Sequence, residues 1–175
     1  MTKDTDGGGT EAAVWPDGTL TWAGRVTRAA LGAGGVVRHK EEGDGGTPCG
    51  LLPLRRVLYR ADRMRAPPRA VVPRELLAPD DGWCDDPASP DYNRMVRLPH
   101  PARHEALWRD DPLYDVVGVL GWNDSPPARR RGSAIFLHVA TPDLAPTAGC
   151  VALRLPDLLD LLADGVTALR VHLPE

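Results

Sequence analysis

Prolines at positions 67, 68, 73, 79, 87, 90, 99 and 101 constrain this chain more than any other feature, because each removes a backbone donor and fixes φ at about −65°. No helix of ordinary length fits between residues 61 and 105, so that stretch must run as turns and short extended pieces. A long irregular insertion over a small domain usually shapes a binding site. Glycine is as frequent as proline, 18 of each against a single Phe, which extends the same conclusion to the whole chain: many turns, few long helices, mostly strand and loop.

With 175 residues the chain can bury one sizeable core. Residues 1–12 are polar and Gly-rich and are expected to form a disordered leader. One domain is expected over residues 13–175, carrying the Pro-rich insertion at 61–105. The formal net charge is −3 and the basic residues, almost all Arg, are scattered, which excludes a nucleic-acid footprint. No apolar run reaches the length of a membrane span, and the first twenty residues lack the apolar core of a signal peptide, so neither membrane insertion nor a visible export signal is expected. Cys49, Cys84 and Cys150 cannot all pair and none has zinc-ligand spacing, so at least one free thiol and no metal are expected. His100 and His104 flank Pro101 with no third ligand in register and are expected to be packing or surface residues.

Strands are expected around the turn Pro16-Asp17-Gly18, at Leu20 to Trp22, and at Arg55 to Arg60, with a mobile Gly-rich loop over 32–50 between them. Tyr114 to Gly121 is rich in β-branched residues and reads as a buried strand that delivers Trp122 to a loop. Ser133 to Val139 reads as another, with His138 near its end. Pro156-Asp157, the leucines at 158, 159, 161 and 162, and Gly165 specify one amphipathic helix: proline in its first turn, an acid at the positive end of its dipole, glycine at its stop. Val166 to Leu173 alternates well enough for a final strand.

The chemistry concentrates in Thr147-Ala148-Gly149-Cys150. A glycine before a cysteine lets a substrate approach the sulfur and leaves backbone N–H groups free to face an oxyanion. A thiol becomes a useful nucleophile when an imidazole takes its proton, and His138 lies a hairpin's length upstream across a Pro-containing loop. Trp122 and Tyr92 are candidates for the wall of a peptide groove.

Ser133-Ala-Ile-Phe-Leu-His138, a loop, then Thr147-Ala-Gly-Cys150 resembles the signature of the L,D-transpeptidase (YkuD-like) family, and Gly46-Thr47-Pro48-Cys49-Gly50 resembles the T-P-x-G corner that opens its catalytic domain. The resemblance covers roughly residues 14 to 173, and the insertion marks a compact subgroup. It implies a mainly β fold, a β-sandwich or mixed sheet with one helix after the catalytic cysteine. It also implies Cys150 as acylated nucleophile, His138 as general base oriented by a backbone carbonyl just after it, and N–H groups around Gly149 and Cys150 as oxyanion hole. Thr147 would contact substrate. The family usually carries histidine at the position of Ala148 and asparagine or arginine at that of Ala152, so Arg154 is the candidate for the missing cation. The implied partners are peptidoglycan stem peptides, the implied location is the periplasm or cell envelope, and the expected state is a monomer with no cofactor. The expected reaction is third-to-third or first-to-third cross-linking, with a thiol amidase or a non-catalytic wall-binding domain as the alternatives.

Overall fold

The computed structural model describes residues 10–175. Residues 1–9 of the expected leader lie outside that range, while Thr10 to Ala12 already belong to the first strand, where Ala12 is fully buried. Among the described residues the fold is mainly β, with one α-helix and a mixed sheet.

The chain begins with β1 (Thr10–Val14), β2 (Thr19–Trp22) and β3 (Arg25–Arg28), a meander turned at Pro16-Asp17-Gly18. The Gly-rich segment expected to be mobile contains a parallel pair, β4 (Val36–Val37) with β5 (Thr47–Pro48). It is fastened where Lys40 Nζ reaches Asp44 and the Glu41 carbonyl. The long strand β6 (Gly50–Tyr59) follows, starting five residues before the expected Arg55. It accommodates Pro53 because its pairing changes neighbour there: residues up to Pro53 pair with the last strand, and residues from Leu54 pair with the strand after the insertion.

The insertion contributes β7 (Arg74–Leu76), β8 (Asp81–Cys84), β9 (Met95–Arg97) and β10 (His104–Ala106), of which the last three form a small antiparallel sheet. Tyr114, expected in a strand, instead closes a 3-10 helix over Pro112–Tyr114. Pro112 sits in its first turn and the Asp111 carboxylate accepts from Leu113 N–H at 3.0 Å, a combination that caps a helix. After it come β11 (Val116–Leu120), β12 (Phe136–Val139), β13 (Val151–Leu153), α1 (Leu155–Ala163) and β14 (Val166–Val171). The main sheet runs β13-β12-β11-β6-β14-β1-β2-β3, with β7 added alongside β6.

Both faces of this sheet are covered, which is why Val116 to Leu120 is buried throughout rather than alternating. On one face Leu137, Val139, Val151 and Leu153 pack with the leucines of α1; on the other Phe136, Val117 and Val119 pack with Trp83, Leu107 and Tyr114 from the insertion and the 3-10 helix. The helix buries Leu158, Leu161 and Leu162, each contributing about 1.5–3 kcal/mol by burial. Its acids Asp157, Asp160 and Asp164 face the β2–β3 hairpin, where they meet Thr27, Arg25 and Trp22 at 2.7, 2.9 and 3.0 Å. Packing from both sides thus fixes β12 and the start of β13, and the candidate site is built on the face that Phe136 and His138 share.

Candidate active site

β12 and β13 run parallel, with His138 opposite Ala152 and Leu137 opposite Val151. Phe136 and His138 therefore share one face of the sheet, and Cys150, one residue ahead of β13, is placed beside Phe136. Cys150, His138, Thr147, Ala148 and Ala152 all line a single cleft of about 290 Å³.

The corner that carries the cysteine is fixed from two sides by threonine hydroxyls. Thr147 Oγ1 donates to the Cys150 carbonyl at 2.7 Å, while Thr47 Oγ1, fully buried in the T-P-x-G corner, approaches the same oxygen at 3.5 Å and accepts from Gly32 N–H at 2.8 Å. Gly149 is required: its φ is +137°, and a Cβ there would lie 2.7 Å from the Gly46 carbonyl oxygen. The backbone of residues 45–47 thus presses directly on the turn that presents the thiol.

The Cys150 thiol is buried, donating to the Ala134 carbonyl at 3.2 Å and accepting from Phe136 N–H at 3.3 Å. Burial pushes its pKa up to about 12, opposed by the Phe136 N–H and reinforced by the negative charge of Glu105. His138 Nδ1 lies 2.9 Å from the Val139 carbonyl oxygen, which can only accept, so Nδ1 carries the proton and Nε2 is the free base of the neutral ring. Burial holds the imidazole below its ordinary value, against the pull of the Val139 and Leu113 carbonyls toward the cation. Both groups rest neutral. No hydrogen bond joins them; the thiol is turned to Ala134.

Tyr114 stands edge-on to both Phe136 and His138, with centroids 5.9 and 5.2 Å away, and its hydroxyl donates to Glu105. Desolvation raises the Glu105 carboxyl above the usual carboxylate range and keeps the Tyr114 phenol protonated at all ordinary pH. Lys40, Glu42, Asp85 and Arg109 complete the charged lining. Sequence reasoning singled out none of these, since Lys40 and Glu42 come from a loop, Asp85 follows β8 and Glu105 sits in the middle of the short strand β10, where no motif marks them.

Of the remaining candidates, Thr147 is in the cleft. Arg154 is not: it is exposed at the N-terminus of α1, because the strand ends at Leu153 and the chain turns away before a second alternation can bring it round. Trp122 lines a separate cavity with Asn93, its indole N–H donating to the Arg131 carbonyl at 2.8 Å. The Tyr92 ring is buried outside the cleft and only its hydroxyl reaches the wall, where it donates to Glu42. Gly149 N–H donates to Thr147 Oγ1 at 3.1 Å, whereas Cys150 N–H has no partner among the described residues. His100 and His104 bond to Asp91 and to the Ala102 carbonyl. All three cysteines are free.

Residues 8–168 match the family model of the L,D-transpeptidase catalytic domain, YkuD. No curated protein matches the chain.

Proposed function

Since the chain belongs to the L,D-transpeptidase family, whose members act on peptidoglycan, we propose that it is a cysteine-dependent acyltransferase that cross-links stem peptides through a thioester on Cys150. The observation that carries this is the convergence of Cys150 and His138 on one cleft, with the imidazole held in the tautomer that leaves Nε2 free.

The thiol swings from the Ala134 carbonyl toward Nε2 as the donor peptide enters. Sulfur attacks the donor carbonyl while His138 takes its proton, and the developing oxyanion is met by Cys150 N–H. The C–N bond breaks, the leaving amine takes the proton back from His138, and a thioester remains. A side-chain amine of a second stem then attacks the thioester carbon, the C–S bond breaks, and the proton lost by nitrogen returns through His138 to sulfur. Donor attack after the third residue gives third-to-third linkage; attack after the first gives first-to-third linkage. No cofactor enters either half-reaction, and the cell envelope is where such a substrate lies. Two neutral partners in a dry cleft suit this chemistry, because proton transfer is coupled to attack and a resting thiolate is not exposed to water.

The test is intact mass spectrometry of wild type and Cys150→Ala after incubation with a carbapenem and, separately, with purified muropeptides. A covalent adduct and cross-linked dimers confined to wild type are expected. Cleavage without dimers would make the protein a thiol amidase, and the absence of both adduct and product would make it a wall-binding domain.

A further inference from the structure

Most charged groups that line the cleft have an opposite charge of their own outside it. Lys40 pairs with Asp44, Arg109 with Asp111 at 2.6 Å, and Asp85 with Arg103 at 3.0 Å. Glu42 and Glu105 differ. Glu42 Oε2 accepts from the Ser133 hydroxyl at 2.8 Å and from the Tyr92 hydroxyl, and Glu105 Oε1 accepts from the Tyr114 hydroxyl. Neither makes a salt bridge within 4.0 Å among the described residues. A hydroxyl satisfies a lone pair and leaves the charge in place, so the cleft holds two carboxylates whose hydrogen-bond partners are neutral; Arg109, committed to Asp111, acts on Glu105 only at longer range. In a partly dry cavity such charges are costly, and a bound cation relieves them.

The two acids come from different parts of the chain. Glu105 lies in β10 of the Pro-rich insertion and Glu42 in the loop between β4 and β5, yet both face the cleft that contains Cys150. Glu105 lines the same cleft as Cys150 and accepts from Tyr114, whose ring stands edge-on to His138. A cation held at Glu105 is therefore held in the cleft of the reacting atom, and the residue that holds it belongs to the insertion.

We infer that Glu105, assisted by Glu42, forms the subsite that binds the ammonium group of the amine acceptor and so sets the preference for aminolysis over hydrolysis. This rests on the transferase reading. The first ammonium proton passes to the Glu105 carboxylate, the neutral amine attacks the thioester carbon, the C–S bond breaks, and the second proton reaches the leaving sulfur through His138. The products are an amide and the free thiol, with the Glu105 proton released to solvent.

The experiment compares two nucleophiles on the same acyl-enzyme. At about pH 8 a diaminopimelate-containing tripeptide carries an ammonium side chain, whereas hydroxylamine is neutral. Glu105→Gln is expected to lower kcat/KM for the tripeptide about tenfold or more relative to hydroxylamine, the effect of losing one charge-assisted hydrogen bond. Glu42→Gln is expected to act in the same direction, and it decides the matter if the first variant does not fold. Equal losses with both nucleophiles, or an unaltered ratio, would overturn the subsite while leaving the transferase standing. Failure of the wild type to form any acyl-enzyme would overturn the transferase reading and the subsite together.

Discussion

The resting state of Cys150 can be read directly from its reaction with a small alkylating agent. Burial raises the thiol from 9.0 to about 12, so at any pH below both values the native protein holds about a thousandfold less thiolate than the same cysteine in the unfolded chain. The more basic thiolate is intrinsically more nucleophilic, and a Brønsted slope of about 0.4–0.5 over that interval returns about twentyfold. The net expectation is alkylation about fiftyfold slower in the native protein than in guanidinium, before any steric protection. Because burial also slows access, the decisive quantity is the pH dependence. The native rate constant for the Cys150 peptide, followed by mass spectrometry after iodoacetamide pulses, should rise about tenfold per pH unit without levelling off until well above pH 10. Thiolate absorbance near 240 nm should titrate in the same range. A rate that reaches a plateau below about pH 8 would mean a resting thiolate–imidazolium pair and would refute the neutral-pair account.

Two further outcomes follow from the same geometry. In the proposed mechanism acylation uses His138 as neutral base, and burial depresses its pKa below the ordinary value of 6.5, so the acid limb of the pH–rate profile for acylation should fall below 6.5 and activity should be lost only as pH drops through that limb. A limb above 6.5 would mean that the base is stabilised as a cation. Gly149→Ala puts a Cβ at positive φ against the Gly46 carbonyl, and a cost of about 3 kcal/mol should lower Tm by about 6–12 °C in a thermal melt, together with a loss of acylation.

What could be read from sequence was local. The helix was specified by Pro156, Asp157, its leucines and Gly165, and it appears within a residue or two of that placement. Cys150 and His138 were singled out by the motif they share with the family signature, and the structure brings both to one cleft; the glycine before the cysteine is a backbone requirement. Arg154 failed for a physical reason: alternation along a strand holds only while the strand lasts, and this one gives way to α1 after Leu153. Tyr114 was misplaced because strand propensity in Val116 to Leu120 was extended backward to Tyr114, whereas Asp111 and Pro112 open a helical turn that takes in that residue. Glu42 and Glu105 were invisible, since each acquires meaning only when elements far apart in the chain meet over the same cavity.

The insertion acts on the whole candidate site. Its prolines forbid a helix, and short strands are what remain; a three-stranded sheet laid over Phe136 and Val117 then becomes the cover of one sheet face. Trp83 meets Phe136 edge-on at 5.1 Å, and Arg60 stacks on Trp108 at 3.4 Å while donating to the Arg109 carbonyl at 2.8 Å. These contacts fix the 3-10 helix whose Tyr114 packs against His138. The same cover that dries the thiol and the imidazole, raising one pKa and lowering the other, is also what brings Glu105 to the cleft. In the proposed mechanism desolvation of the nucleophile and placement of an acid for an incoming amine are consequences of one structural addition, so a change that loosens the insertion should alter thiol ionisation and acceptor choice together.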